Sequence, residues 1–373
     1  MSQFAPFARK NWIWFAAILS GALWLGVHQD ISWETWGGDE AEYADVARRL
    51  ARGEGFTTSL IYPAEIEWGV DRDHPSLVRP PLWPLILAAG FSLLGPNPVA
   101  IQLLLLCQYM TCVVLAGLLG QRLMGLWGGV VAAMAVVASP DMLALSFIGM
   151  TETLYTAWVL LAFLLLAQGA RPIWIGLVCG LLYLTRYNGI VLLPFVLVFL
   201  ATGENRIRRP AECMLGFVLV AMPWWIRNWM VTGDPVFTYY RWAIYFSPTI
   251  RSYTTTLMHM IDPSPLAPMA MDPVEKVKLL LPTLFLNWPL AAANFTACLG
   301  LLIACLKRNR LAICFAGLAI ATTVGMSLAL PRGRYFAPLF PTLVVLGIAG
   351  WWSLRTQFKW IGVAAVLMTP WLP

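Results

Sequence analysis

The sequence predicts an all-α polytopic membrane protein with about 10 to 12 transmembrane helices. Of its 373 residues, 59% are hydrophobic and only 12% are charged, whereas soluble domains carry roughly 25% charged residues. Many apolar runs approach the length of about 20 residues that a helix needs to cross a bilayer. We therefore expect one membrane-embedded domain covering residues 1–373, rather than several soluble domains.

The apolar runs define the predicted spans, with boundaries accurate to about 2 to 4 residues. They lie at about 12–29, 99–119, 126–140, 151–168, 172–186, 190–203, 212–229, 288–306, 311–330, 336–352 and 360–372. The first run lacks a small-residue cleavage site, so we expect an uncleaved anchor rather than a removed signal peptide. Arg9 and Lys10 precede it and place the amino terminus in the cytoplasm.

The segment 82–94 decides on which side of the membrane every later loop lies. It is apolar but only 13 residues long, about 20 Å as a helix, against a hydrocarbon core of about 30 Å. If it stays on the outer side, the later basic clusters, such as Lys307 to Arg310, fall inside; if it spans, they change sides. We adopt the first arrangement, which makes 30–81 and 231–286 extracytoplasmic loops.

Several functional classes are disfavoured. The formal net charge of +6 does not indicate nucleic-acid binding, because the basic residues cluster beside apolar runs, as the positive-inside rule expects. The seven cysteines lie in or at the edge of apolar runs, which predicts buried small side chains and no disulfide framework. The sequence has no motif of a zinc protease, a serine hydrolase or a P-loop nucleotide hydrolase.

The first loop holds eleven of the 19 acidic residues. Within it, Asp39 to Arg52 has helical spacing and predicts an amphipathic helix on the outer membrane surface. Its apolar face consists of Tyr43, Val46, Ala47 and Leu50. Asp39 begins this helix, where the helix dipole keeps a carboxylate ionised and able to act as a general base. The alternative is that Asp39 only caps the helix.

Glu152 follows Thr151 at the start of a predicted span and faces the same outer side as Asp39. Two carboxylates from separate elements can orient an acceptor or hold a divalent cation. A metal ion bound by Asp39 and Glu152 is therefore one alternative, and no other cofactor is indicated. A second alternative is that Glu152 merely marks the start of a helix.

Three arginines stand at predicted outer helix ends beside proline, glycine or aromatic residues: Arg79, Arg186 and Arg334. A guanidinium binds phosphate oxygens with a planar two-pronged fork, so their convergence suggests an anionic lipid headgroup. The alternative for each is ordinary snorkelling to the interface.

Five polar motifs follow one another along the chain: Gly-Asp-Glu-Ala-Glu-Tyr (38–43), Arg-Pro-Pro-Leu-Trp-Pro-Leu (79–85), Leu-Thr-Arg-Tyr-Asn-Gly (184–189), Pro-Trp-Trp-Ile-Arg-Asn (223–228) and Arg-Tyr-Phe-Ala-Pro-Leu-Phe-Pro (334–341). This ordered set resembles the polytopic GT-C glycosyltransferases, in the bacterial branch related to protein O-mannosyltransferases and aminoarabinose transferases. The resemblance runs from residue 12 to about residue 350.

The resemblance implies a GT-C-like fold in a bacterial (or archaeal) cell inner membrane, with an extracytoplasmic active site. It also implies a polyprenyl-phosphate-linked sugar donor and a lipid, glycan or protein acceptor. Asp39, with Glu40 beside it, matches the acidic residue proposed as base or acceptor-orienting group. Glu152 stands where the family often has aspartate, and we include it among the catalytic candidates.

The same resemblance assigns the donor phosphate to Arg79, to Arg186 in place of the usual lysine, and to the late pair Arg334 and Tyr335. Further candidates for substrate binding are Tyr43, His74 and Arg227. For His74, the alternative is an ordinary surface histidine in a loop.

The predicted function is an inverting glycosyltransferase with Asp39 as base. One alternative is a transporter or flippase for an anionic lipid or glycan, which also needs arginines in a membrane cavity. Such transporters often carry an internal repeat, and the sequence has none. A non-catalytic membrane subunit that binds a partner is the third possibility.

Overall fold

The computed structural model describes residues 5–28, 38–61, 65, 70, 72–238, 291–329, 337–354, 360 and 364. These residues form helices and a single two-stranded antiparallel sheet. The helices are α1 (Ala5–His28), α2 (Asp39–Ala51), α3 (Leu82–Leu94), α4 (Pro98–Met124), α5 (Leu126–Val137), α6 (Pro140–Leu145), α7 (Glu152–Gln168), α8 (Pro172–Thr185), α9 (Leu192–Ala201), α10 (Arg208–Thr232), α11 (Ala291–Leu306), α12 (Arg310–Ala329) and α13 (Phe340–Trp352). The strands are β1 (Thr57–Thr58) and β2 (His74–Pro75).

The predicted all-α polytopic membrane fold is confirmed. Ten of the predicted spans coincide with a helix of the described chain, and the last, 360–372, lies almost entirely outside the described residues. By length and composition, α4 with 27 residues and α10 with 25 residues suffice to cross a membrane. The other apolar helices have apolar stretches of 10–17 residues.

Helix α4 shows how local sequence sets a boundary. The side chain of Asn97 accepts a hydrogen bond from the amide of Ala100, and Pro98 supplies the fixed φ that favours a first helical residue. The helix ends at Gly125, whose φ of 79° lies in the region open to glycine. These three residues set both ends of this 27-residue helix.

Helices α8 and α10 touch along their backbones. A Cβ atom at Gly176 would overlap the carbonyl oxygen of Cys213, and one at Gly216 would overlap that of Ile173. Small residues allow this close approach, which is a common device in membrane helix packing. The contact fixes α8 against α10, and both helices contribute to the candidate site.

The predicted helix of the first loop is α2, and most of its predicted apolar face is buried: Tyr43, Val46 and Ala47 are buried and Leu50 is partly buried. The prediction placed this face on the membrane surface, whereas the structure packs α2 mainly on α3. Apolar side chains gain the same free energy from burial against protein as against lipid. The loop is therefore built into the helical bundle.

Asp45, in the middle of α2, forms hydrogen bonds with a residue of strand β1 and with the residue after that strand. Its carboxylate accepts hydrogen bonds from the Ser59 amide at 2.9 Å, from the Thr58 hydroxyl at 3.2 Å and from Arg48 at 2.6 Å. Arg49 holds Asp73, just before β2, with two hydrogen bonds of 2.7 and 2.9 Å. These charges fix the chain that leads from β2 to Arg79.

Both ends of α3 lie near α2 or the start of α7. The indole nitrogen of Trp83 donates to the Gly149 carbonyl at 2.9 Å. At the other end, Phe91 and Pro98 line a groove of about 390 Å³ together with Ala41 of α2. The outer, non-spanning position of 82–94 stays a prediction.

Cysteine labelling tests that position. In a background with the seven native cysteines replaced, we expect an outer-face thiol reagent to label Asn97→Cys and not Arg122→Cys. The two positions lie at opposite ends of α4. Labelling at position 122 would show that 82–94 crosses the membrane.

The Asp45 contacts predict an acid-sensitive loop. Partial burial raises the pKa of the Asp45 carboxyl, but hydrogen bonds from Ser59, Arg48 and Thr58 lower the pKa by more. Its stabilising contribution is therefore complete above the ordinary value of about 4 and is lost as the pH falls through the folded-state pKa. We expect Asp45→Asn to cost about 2 kcal/mol at pH 7. Thermal unfolding should show the gap to wild type closing below about pH 4.

The exposed Asp73 at the other end of this network is the matched control. Asp73→Asn should cost less than about 1 kcal/mol, because exposed ion pairs contribute little. Equal destabilisation by the two variants would contradict the dominant role of Asp45.

Candidate functional site

Arg79 lies buried between two carboxylates of α2. Its Nη2 donates to Oδ1 of Asp39 at 2.7 Å, and its Nε donates to Oε2 of Glu42. Asp39 and Glu42 are three residues apart, so they share one face of the helix. Arg79 and Glu42 are 6% and 1% exposed, whereas the Asp39 side chain is 35% exposed. Asp39 is thus the accessible partner of the pair.

A second ion pair joins Glu152, the first residue of α7, to Arg186, the residue after α8. Nη1 of Arg186 lies 2.8 Å from Oε1 of Glu152 and donates to the Thr151 hydroxyl at 3.2 Å. Arg186 precedes the 3-10 turn Tyr187–Val191, which interrupts the helical path before α9. Oε2 of Glu152 is buried and has no hydrogen-bond partner within the described part of the chain. A buried carboxylate oxygen without a partner is uncommon in folded proteins and marks Glu152 as a candidate functional residue.

Tyr43 lies against Arg79 and within electrostatic range of the second ion pair. Its ring centroid is 5.1 Å from the guanidinium carbon of Arg79. Burial raises the pKa of the Tyr43 hydroxyl, the charges of Arg79 and Arg186 lower it, and those of Asp39 and Glu152 raise it. The Trp83–Gly149 hydrogen bond joins the start of α3, close to Arg79, to the segment just before Glu152. The two ion pairs therefore lie on elements that contact each other.

Arg227, near the end of α10, binds the backbone of the first loop. Its Nη2 donates to the carbonyls of Ser76 at 2.9 Å and Phe56 at 3.4 Å. Its guanidinium carbon is 5.4 Å from the Phe56 ring centroid and 4.7 Å from the Trp224 ring. Its role as a substrate-binding residue stays a prediction, since these contacts are all with the chain itself.

The other candidates are placed apart from the ion pairs or outside the described residues. Nε2 of His74 lies 3.1 Å from Oε1 of the fully buried Glu65. Glu40 turns back over Gly38, where a Cβ atom would lie 3.3 Å from its Oε2. Outside the described residues lie Arg334, Tyr335 and most of the loop 231–286.

The sequence left open that Asp39 only caps α2. The N-cap position is occupied by Gly38, and Asp39 is the first residue of the helix. For a divalent cation, the described residues contain no group of three or more histidine, cysteine or acidic side chains placed to hold one. Asp39 and Glu152 each face a guanidinium, so a metal ion at either carboxylate would compete with that arginine.

Sequence reasoning missed Glu42, which shares Arg79 with Asp39. The residue named in its place was Glu40, which directly follows Asp39. The signal was present: Asp39, Glu42 and Tyr43 are spaced i, i+3 and i+4, the spacing of one helix face.

Comparison with known proteins agrees with this architecture. Residues 76–227, less than half of the chain, match a family model described as dolichyl-phosphate-mannose-protein mannosyltransferase. The crystal structure of ArnT from Cupriavidus metallidurans bound to undecaprenyl phosphate matches with a TM-score of 0.63 and 18% identity, over 95% of this chain and 63% of ArnT. The chain has the GT-C glycosyltransferase fold.

A second group of similar structures comes from Archaeoglobus fulgidus. Its oligosaccharyltransferase AglB, in complex with an inhibitory peptide and a dolichol-phosphate, matches with a TM-score of 0.63 and 13% identity, over 99% of this chain and 56% of AglB. The chain therefore spans less than two thirds of the length of either protein. No curated protein sequence matches the chain.

The unequal burial of the two carboxylates predicts unequal roles. We expect Glu42→Gln to lower the free energy of unfolding by about 3 kcal/mol, because it leaves a buried guanidinium with one partner fewer. Asp39→Asn removes the accessible partner and should cost less than about 1 kcal/mol. Thermal unfolding in one detergent compares them directly, and a larger loss for Asp39→Asn would reverse the assignment.

Proposed function

We propose that the protein is an integral-membrane glycosyltransferase acting on the outer face of the membrane. It moves a sugar, with inversion, from a polyprenyl-phosphate donor to a lipid, glycan or protein acceptor. The observation that carries this proposal is the single site with two guanidiniums, each held by a carboxylate, around Tyr43. The fold is shared with ArnT, whose structure contains undecaprenyl phosphate.

The donor phosphate binds by replacing a carboxylate as the partner of an arginine. Arg79 and Arg186 supply planar forks suited to phosphate oxygens. A phosphate entering from the accessible side meets the Arg79–Asp39 contact before the fully buried Glu42. It therefore displaces Asp39 from Arg79 and leaves Glu42 in place to compensate the buried charge.

Once displaced from Arg79, the Asp39 carboxylate takes part in proton transfer. The acceptor hydroxyl gives its proton to the Asp39 carboxylate as its oxygen forms a bond to the anomeric carbon. The bond from that carbon to the phosphate oxygen breaks, and its electron pair stays on the phosphate. Arg79 and Arg186 stabilise this developing charge. A base that is ionised and released only when the donor is bound ties acceptor activation to donor binding.

Mass spectrometry of lipids and glycans from a deletion strain tests the proposal. We expect a polyprenyl-phosphate sugar to accumulate and one glycan, lipid or protein to lose the matching sugar. The wild-type gene should reverse both changes and Asp39→Asn should not, because a positioned base contributes roughly 10²–10⁴-fold. Full complementation by Asp39→Asn would remove Asp39 from the mechanism. An unchanged lipid and glycan profile in the deletion strain would contradict the transferase itself.

Arg79→Lys tests the phosphate clamp. Lysine keeps the charge near Glu42 but lacks the planar fork, so we expect turnover to fall about 10²–10³-fold. Arg79→Ala is a poorer test, because it leaves Glu42 buried without its arginine. Arg208→Lys is the matched control: Arg208 pairs with Glu212 at 2.8 Å on the exposed start of α10, and its turnover should equal wild type.

A further inference from the structure

One helical turn of α10 contacts both halves of the site. We propose that Trp224 and Arg227 are positioning residues that hold Arg79 and Arg186 at a fixed separation for a single phosphate group. This inference rests on the proposed function, since the ligand is the donor phosphate. Trp224 and Arg227 are three residues apart, so they project from the same face of α10.

The first link runs from Arg227 to Arg79. Arg227 donates to the Ser76 carbonyl, three residues before Arg79, and to the Phe56 carbonyl. The Ser76 amide in turn donates to the Phe56 carbonyl at 3.0 Å. Ser76 is fully buried, so this backbone cannot shift without leaving polar groups unsatisfied. Arg227 thereby anchors the segment that carries Arg79 to α10.

The second link runs from Trp224 to Arg186. The indole nitrogen of Trp224 donates to the Tyr187 hydroxyl at 3.1 Å, and Tyr187 directly follows Arg186. The Trp224 ring also packs edge-on against Phe56, with centroids 5.0 Å apart, and lies against the guanidinium of Arg227. The two links are therefore joined by direct contact.

Because both links end on one turn of α10, the distance between the guanidiniums of Arg79 and Arg186 can vary little. A phosphate that must bind both arginines gains most when that separation already fits, because no ordering remains to be done on binding. Small displacements of positioning groups are known to cost as much as 10²-fold in rate. Loss of either link should accordingly weaken phosphate binding while both guanidiniums proposed to bind the phosphate, Arg79 and Arg186, stay in place.

Trp225 provides a matched control. Its indole nitrogen donates to the Tyr183 hydroxyl, also at 3.1 Å. Trp225→Phe and Trp224→Phe thus delete the same kind of hydrogen bond from adjacent positions of α10 to the two tyrosines of one aromatic cluster. Only Tyr187 is the immediate neighbour of an arginine of the site.

The first measurement is the affinity of the full-length protein in nanodiscs for undecaprenyl phosphate. We expect Trp224→Phe and Arg227→Lys to weaken binding about 5- to 10-fold, the size of one lost buried hydrogen bond. Trp225→Phe should stay within about twofold of wild type. In the Tyr187→Phe background, Trp224→Phe should have no further effect, because their shared hydrogen bond is already gone. Equal affinities for Trp224→Phe and Trp225→Phe would overturn the proposal.

The second measurement is amide hydrogen exchange without ligand, which separates this inference from the proposed function. We expect Arg227→Lys to speed exchange at 76–79 and Trp224→Phe to speed exchange at 185–189, with Trp225→Phe unchanged at both segments. If wild type fails to bind undecaprenyl phosphate, the donor assignment fails while exchange still decides whether the links exist. Unchanged exchange in both variants would overturn the positioning role.

Discussion

The buried guanidinium of Arg79 is the constraint on which the site depends. Removing a charge from water costs several kcal/mol unless close partners compensate it. The partners here are Asp39 and Glu42, which come from a helix some 40 residues earlier in the chain. The first loop must therefore fold onto the start of α3 for the charge to be buried at all. Anything that binds Arg79 enters an existing balance of one positive and two negative charges.

Much of the fold follows from local signals. The apolar runs predicted the helices because hydropathy and length act within a segment. Their ends were predicted less well, since the span expected at 99–119 continues to Met124 in α4. The spacing of Tyr43, Val46 and Ala47 gave the buried face of α2. What covers that face was not predictable in the same way, because protein and lipid satisfy an apolar surface equally well.

The sequence predicted most of the residues that belong to the site, but not which of them form ion pairs with one another. Asp39, Glu152, Arg79 and Arg186 were all found from charge at helix ends, yet which carboxylate meets which arginine depends on contacts 34 to 40 residues apart. The spacing that places Glu42 on the same face of α2 as Asp39 was readable from the sequence, whereas its contact with Arg79 was not. Arg227 donates hydrogen bonds to backbone carbonyls 151 and 171 residues away in the sequence. No sequence pattern predicts such contacts, because every peptide group offers the same acceptor.

The backbone contact between α8 and α10 extends the functional region beyond its charged residues. Gly176 lies ten residues before Arg186, about 15 Å along the helix. A side chain there would push the two helices apart, and a stiff helix carries that displacement along its whole length to the end that bears Arg186. Substitutions that impair function should therefore include replacements of glycines such as Gly176. Such glycines lie far from the charged residues of the site and would be overlooked if only the residues of the site were considered.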